Sequence, residues 1–480
     1  MAKGGGRCVK CWVALAAILV VVLAVTGVLS PYLDKVWAFV SRSEPLSNPP
    51  PLWQQRLGGG PRSATIAGDT VIVEHRTLVE SRSLGTGARL WETTADWAAV
   101  AGAGAGAVVV IGKLLVKGYD VLDPATGAVR RRDSDAVAVW TYRNAMVDVR
   151  CHDAKDCTLT AWDPHGSVPL WTVPLPGIGF VLSADNPELP DTKPLSTRRV
   201  DDQAAGPDIM PPVLGFPIDG NVYLVDTAAG RVLQQLNPQR DQRIAVVGGR
   251  ALRITARSQD DTCYFATSAI DPDTGQEVWN NVGVNLRTTS GSGCTQRDDP
   301  AGGQNVVVGV GPDAREQVID AYDGRILWTG LPGEKLLAVD DVVALVRGAD
   351  GRSVHGAELR GGVRWNRRTD TRASAAALRY AAVVLDENPG RLNALGELSG
   401  TDLINVRSSA KVLAVGPNGM IIGDGRDIGY LPFSGTVGPG GGLVPGPGGS
   451  PLPGGGASPG SGPGPGAGCT GPKREDCPAS

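Results

Sequence analysis

SAIDPDTGQEVW, Ser268 to Trp279, reads as the end of one strand, a tight turn and a second strand led by a tryptophan. An apolar residue followed by Asp closes the first strand, and the carboxylate accepts backbone N–H groups of the turn. Pro suits the second turn position, and Gly275 supplies the positive φ that completes it. The chain then re-enters an extended run, so the stretch predicts a β-hairpin with a loop of three to five residues.

The stretch recurs. VLDPATGAVR stands at Val121–Arg130, AWDPHGSVPLW at Ala161–Trp171, LVDTAAGRVL at Leu224–Leu233 and VIDAYDGRILW at Val318–Trp328. More worn copies are SRSLGTGARLW ending at Trp91, AELRGGVRW ending at Trp365 and GELSGTDLINV at Gly396–Val406. Their closing glycines are Gly87, Gly127, Gly166, Gly230, Gly275, Gly324, Gly362 and Gly400, spaced 38 to 64 residues apart. A floor near 38 residues is the length of a four-stranded propeller blade. Between the turns run short β-branched segments broken by Gly, Asp and Asn, and helical periodicity is absent beyond the N-terminus. The expectation is an all-β, eight-bladed propeller, or a seven-bladed one if a worn copy is only a loop. The recurring Trp would plug neighbouring blades together. PPLWQQRL, Pro50–Leu57, reads as an orphan outer strand that completes the last blade and removes its open edge.

AIDPDTGQEVW and VLDPATGAVRR resemble the repeat of the PQQ-like, quinoprotein alcohol dehydrogenase-like β-propellers, over roughly Leu52 to Phe433. The resemblance implies the propeller fold and two contrasting roles, because the family holds pyrroloquinoline quinone (PQQ) dehydrogenases and non-catalytic scaffolds. The enzymes carry a disulfide between adjacent cysteines above the quinone, a Trp floor, a calcium held by carboxylate and amide groups, and a catalytic Asp. This sequence has no adjacent cysteines, and neither the calcium ligands nor the Asp map onto it. The expectation is therefore a non-catalytic member with no cofactor, with PQQ plus calcium as the alternative.

The chain of 480 residues carries a net charge of −3 with 20% charged residues, which gives no basic patch for nucleic acid. Arg far outnumbers Lys, a bias expected of a GC-rich bacterium. Residues 12–30 are uncharged, and as a helix Trp12–Leu29 would span about 27 Å, enough for a bilayer. Lys3, Arg7 and Lys10 precede this stretch, so residues 1–11 are expected in the cytoplasm, 12–30 as a signal anchor and 31–49 as a linker. The propeller, 50–433, is then expected outside the cell membrane.

Six cysteines fall into local pairs, Cys151 with Cys157, Cys263 with Cys294 and Cys469 with Cys477, as an oxidising compartment predicts. The first two bridges are worth about 2.4 and 3.7 kcal/mol by loop entropy. CHDAKDC could instead offer Cys151, His152, Asp153 and Cys157 to a metal, but its spacing matches no zinc pattern. GAGAGA, Gly102–Ala107, precedes a strand rather than linking strand to helix, and so reads as a loop and not a dinucleotide site. No catalytic motif is present. Of the four histidines, His165 sits in a repeat turn, His152 lies within CHDAKDC, and His75 and His355 read as solvated residues near strand ends.

Two segments break the repeat. Residues 179–212, rich in Pro, Asp and Arg, read as a loop extruded on one rim. Residues 434–480 are mostly Gly, Pro and Ser, a disordered tail ending in CTGPKREDC. The functional expectation is a membrane-anchored, extracytoplasmic scaffold that binds another envelope protein or a cell-wall component. A quinoprotein-type dehydrogenase and a ligand sensor are the alternatives.

Overall fold

The computed structural model describes residues 44–182, 199–260, 262–286 and 301–434. Thirty-five strands form nine antiparallel sheets, eight of four strands and one of three. The first blade is Ser63–Ala67, Thr70–Glu74, Val79–Ser83 and Arg89–Thr93, paired in chain order. Seven further blades follow along the chain. The ninth takes three strands from the end of the domain, Lys411–Gly416, Gly419–Asp424 and Asp427–Pro432, and its fourth from the beginning, Trp53–Arg56.

The molecule thus has nine blades, not the eight or seven expected. The sequence marker is the turn between the third and fourth strands of a blade, and eight such turns are present. In the ninth blade the fourth strand arrives from the N-terminus, so no turn joins it to the third and no marker exists. Trp53 pairs with Tyr430 and Arg56 with Asp427, which closes the ring as the orphan strand predicts. Ring contacts begin before residue 50, for Asn48 bridges Arg407 and the Ser408 hydroxyl donates to the Leu46 carbonyl.

All eight hairpins carry the same β-bulge, one residue before or at the inward-facing position after the turn. The bulge re-aims the following side chain across the blade boundary. Trp91 donates its indole N–H to the Pro124 carbonyl, Trp171 to Thr227, Trp279 to Ala321 and Trp365 to Glu397. In each case the acceptor lies in the turn of the next blade. The turn Asp residues cap these turns, as where Asp123 Oδ1 accepts from the N–H groups of Ala125 and Thr126.

The core is a circuit of clusters between blades. One joins Trp53, Val71, Val73, Ile421 and Tyr430 across the closure, and Trp53 stacks on Tyr430 at 6.3 Å. The innermost strands alternate little and are buried on both faces, as Ala381–Leu385 and Val343–Val346 show one strand outward.

The described residues hold one short 3-10 turn, Gly104–Gly106, and no helix long and apolar enough to cross a membrane. The expected transmembrane helix at 12–30 and the tail beyond Ser434 lie outside the described residues, so the described fold is the all-β ring alone.

Candidate functional site

A propeller encloses its cavity at the axis, where the first strands of the blades converge. In this ring the chain itself enters that space. Blade four has three full strands, Val213–Ile218, Asn221–Asp226 and Arg231–Leu236, and its innermost position is held only by a bridge from Leu182 to Gly215. Leu182 belongs to the 179–212 insertion, whose described parts are 179–182 and 199–212, and the second of these does not project from the rim.

Val200 forms a parallel bridge with Val412, on the axial edge of the innermost strand of blade nine. The Val412 N–H donates to the Arg199 carbonyl, the Asp201 N–H to the Val412 carbonyl, and the Val415 N–H to the Ala204 carbonyl. Val200 and Ala204 are buried among Val383, Val412 and Val415. Lys411 clasps Asp201 at 2.7 Å, and Arg199 donates to the Ser408 carbonyl at 2.9 Å. Residues 205–212 then cross the lower face, where the first–second and third–fourth turns of the blades lie. There Arg379 of blade eight pairs with Asp208 and donates to the Pro207 carbonyl. On the far side the Arg143 N–H of blade three donates to the Asp208 carbonyl, and Gln304 of blade six donates to the Ile209 carbonyl. One segment therefore touches blades three, six, eight and nine. Residues 199–212 of the expected extruded loop are therefore an axial strap, held by apolar and charged contacts to blades across the ring.

The lower face beside the strap is acidic. Asp341 accepts from the backbone and side-chain amides of Asn305, at 2.7 and 3.0 Å. Burial pushes Asp340 and Asp341 above the usual carboxylate range. Burial, and then the Asp340 charge, push Glu397 up to about 7, with Arg379 opposing.

Between blades two and three lies a buried polar–aromatic cluster. Asp148 Oδ2 accepts from the Tyr119 hydroxyl at 2.6 Å and the Trp162 indole at 2.8 Å. Burial raises both the Asp148 carboxyl and the Tyr119 hydroxyl from their ordinary values. The Arg131 guanidinium covers Trp162 at 4.3 Å and donates to the Gly166 carbonyl. Arg131 thus stands at the register position that Trp91, Trp171, Trp279, Trp328 and Trp365 hold in their blades, and it too bridges to the turn of the next blade, at the closing glycine.

Of the residues singled out in the sequence, Cys151 and Cys157 are bonded across a hairpin, which replaces the metal reading of CHDAKDC. Cys263 is a disulfide cysteine; Cys294, Cys469 and Cys477 lie outside the described residues. The turn glycines have positive φ at 87, 127, 230, 275, 324, 362 and 400, whereas Gly166 does not. His75 and His355 are buried, contrary to the solvated reading, and each faces a carboxylate, Glu80 at 3.3 Å and Glu334 at 3.5 Å. Arg82 also grips Glu80 through two nitrogens, so the first cluster is a closed internal network. Among the described residues no three His, Cys, Asp or Glu side chains gather as a metal site.

No family model matches the chain, and no curated protein does. Among solved structures it is similar to BamB from Moraxella catarrhalis, at 16% identity over 74% of this chain and 96% of that one, with a TM-score of 0.32. A europium-containing methanol dehydrogenase is 11% identical over 64% of this chain and 74% of its own, at a TM-score of 0.30. A eukaryotic initiation factor is 11% identical over 73% and 89%, at 0.42. At such scores the comparisons carry no argument about role, and the fold rests on the strand pairing itself.

Proposed function

We propose that this protein is an extracytoplasmic binding scaffold, a ring that docks an envelope protein or cell-wall component on its faces. The observation that carries the reading is the axial strap. It lines the inner edge of blade nine and crosses the lower face, so it narrows the space in which a propeller encloses a small ligand and favours recognition at the rim and the faces. Fixing nine blades around a strap also yields a rigid surface, which lowers the entropy cost of binding a partner. The Cys151–Cys157 bridge supports an oxidising location outside the cytoplasm.

The test is a photo-crosslinking scan on the full chain in cells of the source species. Reactive groups are placed singly at exposed lower-face, upper-face and rim positions such as Leu398, Leu331 and Val363. The scaffold reading expects one partner to be captured from a contiguous set of positions. Titration of the purified chain with PQQ and calcium is the opposing arm. Saturable binding with a raised melting temperature would overturn the reading in favour of a quinoprotein.

A further inference from the structure

The upper face bears the second–third turns of the blades and the connections from one blade to the next. Most of its second–third turns are built from polar and turn-forming residues, such as Asp153–Asp156 in blade three, Asp219–Gly220 in blade four and Gly425–Arg426 in blade nine. Blade two differs. Its turn between Val108–Gly112 and Tyr119–Leu122 reads Lys113-Leu114-Leu115-Val116-Lys117-Gly118. Leu114 and Val116 are 61% and 60% exposed, and Leu115 is fully exposed.

Leu115 also sits at φ 61°, a conformation that an unbranched or branched side chain adopts only at a cost. The base of the turn is fixed, since the Leu114 N–H donates to Asp96 Oδ2 at 3.0 Å. The apolar tip is therefore held outward by a built turn. Behind it runs a groove of about 380 Å³ floored by Trp97, Tyr119 and Val139. Lys113 and Lys117 flank the tip, both exposed and without an ion pair among the described residues. Ile178 and Phe180, half exposed, lie on the same face in the connection from blade three to blade four.

We infer that this turn docks on a lipid surface with anionic headgroups. Leu114, Leu115 and Val116 enter the acyl boundary while Lys113 and Lys117 meet the headgroup charge, the arrangement by which amphipathic elements lie in a bilayer interface. Two further features choose a membrane over other occupants. Leu46, near the first described residue, accepts from the Ser408 hydroxyl on this same face, so the described chain enters the ring there, downstream in sequence of the uncharged residues 12–30. The last described residue, Ser434, donates its N–H to the Leu403 carbonyl on the opposite face. The inference goes beyond the scaffold reading and stands or falls separately from it.

The test is hydrogen exchange of the full chain reconstituted into liposomes of phosphatidylcholine alone or with one third phosphatidylglycerol. The inference expects amides of residues 113–118 to exchange about fivefold more slowly in the anionic liposomes, with the rest of the ring unchanged. Lys113→Glu combined with Lys117→Glu abolishes the difference, and Leu115→Ser reduces it; all three positions are exposed, so the fold survives. Equal exchange in the two lipids overturns the inference. So does protection that rises with protein concentration in the absence of lipid, which would assign the turn to a second copy of the chain.

Discussion

Trp279 of blade five and Gly324 of blade six form one joint: the indole N–H donates to the Ala321 carbonyl at 3.1 Å, and a Cβ on Gly324 would lie 2.7 Å from the indole ring. The same relation links Trp91 with Gly127, Trp171 with Gly230, and Trp365 with Gly400. The turn glycine thus supplies positive φ for its own hairpin and a flat seat for its neighbour's tryptophan. Gly362 has φ 86° but nothing within reach of a Cβ. Gly324→Ala should therefore cost about 2–4 kcal/mol, and Gly362→Ala about 1 kcal/mol, since only the first adds a packing clash to the backbone cost. Urea-unfolding midpoints of the two variants measure the difference, and equal losses would reject the seat.

Ring closure predicts a large effect at a position that looks peripheral in the chain. Trp53 stacks on Tyr430 and donates to the Leu84 carbonyl at 2.7 Å, so one side chain joins blade nine to blade one. Trp53→Ala should cost about 3–5 kcal/mol, as for other buried aromatic truncations. Thermal melting checks it; a loss under about 1 kcal/mol would mean that the ring does not close through this strand.

Glu397 gives the ring a pH signature. Its folded value, about 7, lies above its ordinary 4.5, so the folded state binds the proton more tightly than the unfolded chain. That contribution is complete below pH 4.5 and is lost as pH rises through about 7. Because the carboxyl is only partly buried, solvent screening limits the effect to about 1 kcal/mol. Glu397→Gln should remove this slope, so that the variant gains on the wild type between pH 4.5 and 7.5 in a series of melting curves. A constant offset across that range would contradict the assignment.

Reduction should destabilise the protein without dismantling it. The Cys151–Cys157 bridge closes a short hairpin loop, worth about 2.4 kcal/mol by chain entropy. Cys151→Ser paired with Cys157→Ser should lower the unfolding free energy by that order, read as a lower melting point, while leaving the far-ultraviolet circular dichroism unchanged.

The fold was legible because its information is local and repeated. Asp271, Gly275 and Trp279 sit within nine residues, and the turn they define recurs in eight blades. The ninth blade carries no such turn, since its outer strand comes from Trp53–Arg56, and so a count of turns falls one short. The strap was illegible for the opposite reason. Arg379 and Asp208 are separated by 171 residues and Arg199 and Ser408 by 209, so no periodicity marks their meeting. Pro and Asp suggested a loop, but composition does not say whether a loop leaves a ring or enters it. His75 and His355 were misplaced because their burial comes from how the blades pack, which the residues beside them in the chain do not mark.

The account turns on the strap lying inside the ring, and one crosslink tests that directly. Val200 bridges Val412 on the axial edge of blade nine, more than two hundred residues away in the chain. In the full chain carrying Val200→Cys and Val412→Cys, oxidation should join the two positions, as read by mass spectrometry of the digested protein. Failure to crosslink in a variant that melts like the wild type would place residues 199–212 outside the axis and contradict the account.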